Sequence, residues 1–391
     1  MDDLSHILFS LGEDRDNYFR SVAPPVIQTS NFAFSSVASI RSAFKDEYST
    51  FLYSRGKNPT VDILCKKLAA LDGAEDALVV NSGAAAIFLS VVSQVKSGDH
   101  IISVKEPYSW ARHLFDQILP KWGITCTYVD GRDIANFEAA SKPNTTLIYL
   151  ESPNSWDFAI QDLSAIARFA KSKGIITICD NSYCTPIYQQ PISLGIDLSI
   201  QSATKYISGH SDVVAGVIAG SSALIEPMFR SEYMCVGSGI QPFNAWLLLR
   251  GIRTLETRLE RSSKSAQKVM EFLKEHPLVE EVFYPLDPSF AQYSIAKAQM
   301  KEAGGLFSFT LKLNQIDKIE FFINSLKSFL LAVSWGGYES LVMPKCAGIE
   351  KHEFNPLNKQ HRMVRLYVGM EDPTYLINDL NSAFLAVQDL S

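Results

Sequence analysis

The chain has no Cys-x-x-Cys pair. Its six cysteines, Cys65, Cys126, Cys179, Cys184, Cys235 and Cys346, stand apart. Neither a zinc centre nor a dithiol site is expected, so no metal is assigned, and the thiols read as reduced and mostly buried. No basic run exceeds a few residues and the formal net charge is −6, which argues against nucleic acid as a partner. No apolar stretch is long enough to cross a bilayer, and no membrane partner is expected. The start, Met1-Asp2-Asp3-Leu4, is acidic and lacks the apolar core of a signal peptide, so a cytoplasmic location is expected. There is no internal repeat and no low-complexity tract. What remains is 391 residues with 47% hydrophobic and 20% charged content. That is the balance of a soluble globular enzyme, too long for one ordinary core.

Residues 1–55 have weak periodicity and contain Pro24-Pro25; they read as an extended N-terminal arm that contacts a partner subunit. Short apolar strands then alternate with amphipathic helices. Val61–Leu71, Ala84–Val95 and Leu163–Lys173 have helical spacing. Strands are expected at Ala77–Val80, His100–Val104, Ile124–Val129, Thr146–Leu150, Ile175–Cys179 and Leu198–Ile200. This alternation predicts a largely parallel sheet covered on both faces. From Ala245 to Leu273 the pattern predicts one long charged helix leading into a smaller second domain. There, Leu278–Phe283, Gly305–Leu313 and Val364–Gly369 read as strands, and Asp317–Ser328 and Tyr375–Val387 as helices. The expected divisions are 1–55, 56–245 and 246–391.

Five segments carry candidate chemistry. Gln201-Ser202-Ala203-Thr204-Lys205-Tyr206 follows the apolar run Ile196–Ile200 and precedes Gly209-His210-Ser211-Asp212. It surrounds one lysine with small and hydroxyl residues. A fixed, partly desolvated lysine loses its proton near neutral pH and attacks carbonyls, so Lys205 suggests a Schiff base and pyridoxal phosphate. Asn81-Ser82-Gly83-Ala84 joins a strand to a helix and offers backbone N–H groups to an anion. Asp180 ends a buried strand, where a carboxylate can keep a ring nitrogen cationic. Tyr53-Ser54-Arg55-Gly56 places a phenol and a guanidinium before a helix, and Tyr108 follows a strand, where its ring can stack on a planar ligand. Taken one at a time, each has a plainer reading: a surface lysine, a tight turn, a capping aspartate, a solvated loop.

Together, in this order, they resemble the Cys/Met-metabolism family of pyridoxal-phosphate enzymes. That family includes the cystathionine lyases and γ-synthase, methionine γ-lyase and the O-acylhomoserine sulfhydrylases. The likeness runs from Pro24 to Arg365 and rests on Tyr-Ser-Arg-x-x-Asn-Pro-Thr at 53–60 and Ser-Ala-Thr-Lys-Tyr-Ile-Ser-Gly-His-Ser-Asp at 202–212. The resemblance implies an α/β fold, the fold type I transferase architecture. Its large domain holds a mostly parallel seven-stranded sheet, followed by a smaller α+β C-terminal domain. It also implies a homodimer or homotetramer with shared active sites and a small amino-acid substrate. Lys205 would be the Schiff-base lysine and proton shuttle, and Tyr108 would stack on the ring that Asp180 holds by its nitrogen. Ser82, Gly83, Ala84, Ser202 and Thr204 would surround the phosphate, and Tyr53 and Arg55 would reach the partner's cofactor. Arg365 would clamp the substrate carboxylate, with Ser334 and Trp335 beside it.

Within the family the signals divide. Ser334-Trp335-Gly336-Gly337-Tyr338-Glu339-Ser340 resembles the bacterial cystathionine β-lyase loop, whereas Pro242-Phe243-Asn244-Ala245-Trp246 resembles the γ-acting members. Ser109 and Trp110 follow Tyr108 where methionine γ-lyases carry a cysteine, which argues against that activity. Elimination from cystathionine or a related sulfur amino acid, giving a keto acid, ammonia and a thiol, is the expected reaction. Replacement on an acylated homoserine is the alternative, and a catalytically idle binding protein is a third. Three departures bear on the pocket. Ser155 stands where the family has the asparagine that contacts the ring oxygen, with Trp156 where it has proline. Trp110 and Arg112 replace glycines after the tyrosine. Tyr284–Phe290 lacks the usual Pro-Gly and histidine.

Overall fold

A computed structural model describes residues 3–389. Seven strands form the larger sheet: β1 (Asp76–Val80), β2 (His100–Val104), β3 (Thr125–Val129), β4 (Thr145–Glu151), β5 (Ile176–Asp180), β6 (Leu198–Gln201) and β7 (Gly216–Gly220). Their order is β1-β7-β6-β5-β4-β2-β3. The run from β6 to β3 is parallel, and β7 pairs antiparallel with both β1 and β6. β7 was not anticipated, because Gly-Val-Ile-Ala-Gly is too short and too glycine-rich to stand out by alternation.

Both faces of this sheet are covered, which explains its continuous apolar strands. On β4, Leu147 and Tyr149 enter one cluster, while Ile148 and Leu150 enter the opposite one. Each such fully buried aliphatic side chain stabilises the fold by about 1.5–3 kcal/mol relative to exposure.

Local signals place the helices. α1 (Leu4–Phe9) and α2 (Val37–Ala43) lie in the N-terminal segment. α3 (Pro59–Asp72) is capped by Asn58, starts with proline and ends at Gly73 with φ +67°. α4 (Gly83–Val92) is capped by Ser82, whose Oγ accepts from Ala85 N. It stops three residues before the expected end. α5 (Leu163–Lys173) matches its expected range.

Two expectations are corrected. The first 55 residues are not extended throughout. α1 docks on its own chain through buried Ile7 and Leu8, and Lys67 Nζ donates to the carbonyls of Ile7 and Leu8. The long helix is two helices, α6 (Pro242–Ile252) and α7 (Leu255–Glu275), interrupted at Arg253-Thr254. There Arg258 Nη2 donates to the Gly251 carbonyl, which helps satisfy the end of α6.

Beyond α7, β8 (Val279–Phe283), β9 (Leu306–Leu311), β10 (Leu330–Leu331), β11 (Leu341–Pro344) and β12 (Met363–Tyr367) form a second sheet in the order β10-β11-β12-β9-β8. It is antiparallel except for the short β10–β11 pair. α7, α8 (Ile316–Ser325) and α9 (Pro373–Gln388) contribute Leu273, Phe322 and Phe384 to its core. Tyr183 and Tyr206 of the first sheet's loops join that same core, so the two sheets are packed together.

Candidate active site

The carboxyl ends of β4, β5 and β6 point to one region, and β12 supplies the opposite wall. β4 and β5 are in register with Glu151 opposite Asp180, so two carboxylates end adjacent strands. β6 leads directly into Ser202 and Lys205. The turn that follows is tied to α7, since the Tyr206 carbonyl accepts from Arg258 Nη1 at 2.7 Å.

Lys205 Nζ donates to Ser334 Oγ at 2.7 Å and lies 5.6 Å from the Trp335 ring centroid. Burial first, and then the charge of Arg365, lower its pKa to about 8, while Asp180 pulls in the opposite direction. Ser334 itself has φ +80°, a conformation that costs a non-glycine residue about 1–3 kcal/mol. Gly336 (φ +88°) backs onto Lys205 so closely that an added Cβ would lie 2.9 Å from Lys205 Cα. The 334–336 loop thus presses against the lysine, and only glycine fits at its tightest point.

Asp180 Oδ1 accepts from Ser182 N at 2.9 Å. Burial raises its pKa; the Ser182 hydrogen bonds and the nearby Lys205 oppose the rise. Glu151 is also pushed up, by burial and then by the Asp180 charge. A second carboxylate beside an ionised one holds its proton. Glu151 was given no role on sequence grounds. Its Oε2 accepts from Tyr108 N at 2.7 Å and its Oε1 from Ser155 Oγ at 3.0 Å, so it fixes two of the predicted residues at once. The signal available was its place in Glu151-Ser152-Pro153, one strand over from Asp180.

Gly83 opens α4 against Ser202: an added Cβ would lie 2.9 Å from Ser202 Cβ. The first N–H groups of a helix have no intrahelical acceptor, so those of Gly83 and Ala84 are free to meet an anion beside Ser202. Ser82 Oγ is engaged by Ala85 N, and Thr204 Oγ donates to the Ala215 carbonyl at 3.2 Å and accepts from Ala215 N at 3.0 Å. Thr204 therefore offers a remaining lone pair rather than its proton. Ser202 N donates to Ser182 Oγ, which leaves the Ser202 hydroxyl at the cradle.

Tyr108 is 43% exposed, and its pKa is raised by burial and by the Asp180 and Glu151 charges. Arg365 Nη1 donates to the Ser155 carbonyl at 3.3 Å, and burial lowers its pKa to about 10, opposed by Glu151. Arg55 packs against Gly237 and Gly239, beside the end of β1. Arg55 packs 5.6 Å from the Tyr53 ring, and among the described residues no recorded contact joins either to Lys205, Asp180, Tyr108 or Arg365.

A strand-end carboxylate, free N–H groups and a hydroxyl at a helix start, and a low-pKa lysine form a donor and acceptor set that fits pyridoxal phosphate. Among the described residues no group of histidine, cysteine and carboxylates is arranged to hold a metal ion, and no helix is long and apolar enough to cross a membrane.

Comparison with known proteins agrees with this chemistry. The family described as Cys/Met metabolism PLP-dependent enzyme matches residues 6–385. An L-methionine γ-lyase from Treponema denticola is 37% identical, over 94% of this chain and 93% of that protein. A cystathionine γ-lyase from Sus scrofa is 35% identical, over 94% and 89%. A crystal structure of a cystathionine γ-lyase from Lactobacillus plantarum complexed with L-serine superposes with a TM-score of 0.90 at 32% identity, covering 99% of this chain and all of that one.

Proposed function

The chain belongs to the Cys/Met-metabolism PLP-dependent enzymes and is a carbon–sulfur lyase, and from this premise we propose that it cleaves cystathionine or a related sulfur amino acid by elimination. The products are a keto acid, ammonia and a thiol. The observation that carries the reading is Lys205: half-buried, bonded to Ser334, facing Asp180 and Arg365, with a pKa near 8.

In this reading Lys205 Nζ holds pyridoxal phosphate, Asp180 holds its ring nitrogen and Tyr108 faces its ring. The Gly83 and Ala84 amides and the Ser202 and Thr204 hydroxyls take the phosphate, with Ser82 shaping the turn and Ser155 near the ring oxygen. The bound cofactor supplies an electron sink for the pair left when the α-proton departs. Arg365 binds the α-carboxylate and so sets the orientation about the α-carbon. Lys205, as a free amine, takes the α-proton and returns a proton to the leaving side. Ser334 holds Lys205 in line, and Trp335 walls the site. Tyr53 and Arg55 act on the cofactor of a second subunit, which makes the working unit a homodimer or a tetramer. No recorded contact among the described residues joins either one to Lys205 of its own chain, which supports that assignment.

The test combines spectra and products. The purified protein with cofactor should be yellow, and borohydride should trap the cofactor on Lys205; a protein that stays colourless sinks the enzyme reading. Pyruvate and ammonia from cystathionine or cysteine mark β-elimination, and 2-oxobutyrate from cystathionine or methionine marks γ-elimination. Product that forms only when an acylhomoserine and a thiol are both present would replace elimination with γ-replacement. Methionine belongs in the panel because relatives at 34–37% identity are methionine γ-lyases, although Ser109 stands beside Tyr108 here.

A further inference from the structure

Trp156 packs beside Arg365, on the β12 wall of the site. The Arg365 guanidinium carbon is 4.8 Å from its ring centroid, and Lys345 Nζ is 5.2 Å from the same centroid. Lys345 is anchored from the other side, donating to Gln360 Oε1 at 3.0 Å and lying 3.6 Å from Glu106 Oε2. The indole therefore packs against two cations.

The neighbouring residue serves the same guanidinium. Ser155 gives its carbonyl to Arg365 Nη1, and its hydroxyl is held by Glu151. Glu151, Ser155, Trp156 and Arg365 thus form one connected unit. Arg365 is largely removed from water, and its recorded hydrogen bond to protein is a long one at 3.3 Å. A desolvated guanidinium over an indole face is stabilised by the ring quadrupole. Packed over the ring and giving one N–H to the Ser155 carbonyl, the guanidinium keeps its other N–H groups for a carboxylate.

We propose that Trp156 is a positioning residue for Arg365: its indole holds the guanidinium so that the N–H edge faces the substrate α-carboxylate, and so it sets discrimination in favour of that group. This rests on Arg365 being the carboxylate clamp. No recorded contact among the described residues joins Trp156 to Lys205, so its loss should act on carboxylate binding rather than on proton transfer.

The experiment uses the holoenzyme and two small probes, glycine and glycinamide, whose dissociation constants are read from the cofactor's absorbance. Wild type should prefer glycine. Trp156→Leu should cut the glycine-over-glycinamide preference by about tenfold or more, and raise KM for the sulfur substrate with kcat little changed. Trp156→Phe, which keeps a ring face, should retain most of the preference. An unchanged preference in Trp156→Leu, or equal losses for both probes, overturns the proposal. Arg365→Lys separates the two layers. If that variant also keeps the preference, the clamp reading itself is wrong. If it loses the preference while Trp156→Leu keeps it, only the role of Trp156 is refuted. Should the Leu variant fail to bind cofactor, the Phe variant decides, because a fall of the same size there refutes the requirement for a ring face.

Discussion

Lys67 and Lys205 are both withdrawn from water and both have lowered pKa values, with burial as the main cause, yet their surroundings differ completely. Lys67, on α3, is 1% exposed and surrounded by acceptors: the carbonyls of Ile7 and Leu8 at 2.9 and 3.2 Å, and Glu13 Oε1 at 3.2 Å. Arg253 reaches the same carboxylate at 3.3 Å. Lys205 has a serine hydroxyl, an aromatic face and a repelling guanidinium. Burial is common to both, so burial alone does not make an amine reactive. Contact with Glu13 opposes the fall at Lys67, which also faces the Arg253 and Arg15 charges, whereas at Lys205 burial and then the Arg365 charge outweigh the Asp180 carboxylate and bring the amine to about 8. One lysine fastens the N-terminal segment to the body, and the other is free to exchange its proton.

Substitution should separate the two sharply. Lys205→Ala is expected to lower turnover by at least about a thousandfold with the folded state intact, as measured by product formation and by loss of borohydride trapping. Retention of near-normal turnover would remove Lys205 from the mechanism. Lys67→Met should do the opposite. It removes one of three cations around buried Glu13, the others being Arg15 at 2.9 Å and Arg253 at 3.3 Å, and takes the donor from the Ile7 and Leu8 carbonyls, so it should cost about 1–3 kcal/mol in denaturant unfolding, with kcat preserved. A loss below about 1 kcal/mol would show that Arg15 and Arg253 together suffice for Glu13.

The pH dependence sharpens the contrast further. Only the neutral amine carries the lone pair that attacks an aldehyde. The rate at which apoprotein takes up pyridoxal phosphate should therefore climb about tenfold per pH unit below 8 and level off above it. The same shift acts on stability. Between pH 8 and the ordinary lysine range the unfolded chain holds a proton that folded Lys205 has released, so apoprotein stability rises with pH across that window. A rate profile with its midpoint near the ordinary lysine range would mean that the Ser334 and Arg365 side of the site does not lower Lys205 as described. Lys67 should remain unlabelled by the cofactor throughout. The smallest effect is expected at Lys264, an exposed lysine paired with Glu260 one helical turn away. Lys264→Ala should leave both the melting temperature and the activity indistinguishable from wild type.

Several of these features were legible along the chain. The β6-to-Lys205 segment, the strand ending in Asp180 and the capped start of α4 each depend on residues within a few positions of one another. The break between α6 and α7 was not legible, because nothing at Arg253-Thr254 is a helix breaker. Nor was the inward docking of α1, which depends on Lys67, 60 residues away from Ile7. Glu151 was visible as a letter in a motif, but its hold on Tyr108 and Ser155 follows from where two loops come to rest. Trp156 was recognised as a departure, and the structure shows what it touches.

The amino-acid order alone dictated the alternation of strands and helices, the small-residue turn around Lys205 and the placing of a carboxylate at the end of a buried strand. These follow from backbone propensity and apolar spacing, which act over one or two turns of chain. Tertiary structure decided the rest. It set Ser334 on Lys205 across 129 residues and Arg365 on Ser155 across 210, aligned Glu151 with Asp180, and turned β7 against its neighbours. Those contacts join residues with no local relation, and the shifted proton affinities at the site arise from them: from which charges are brought together, and from how much water is excluded between them.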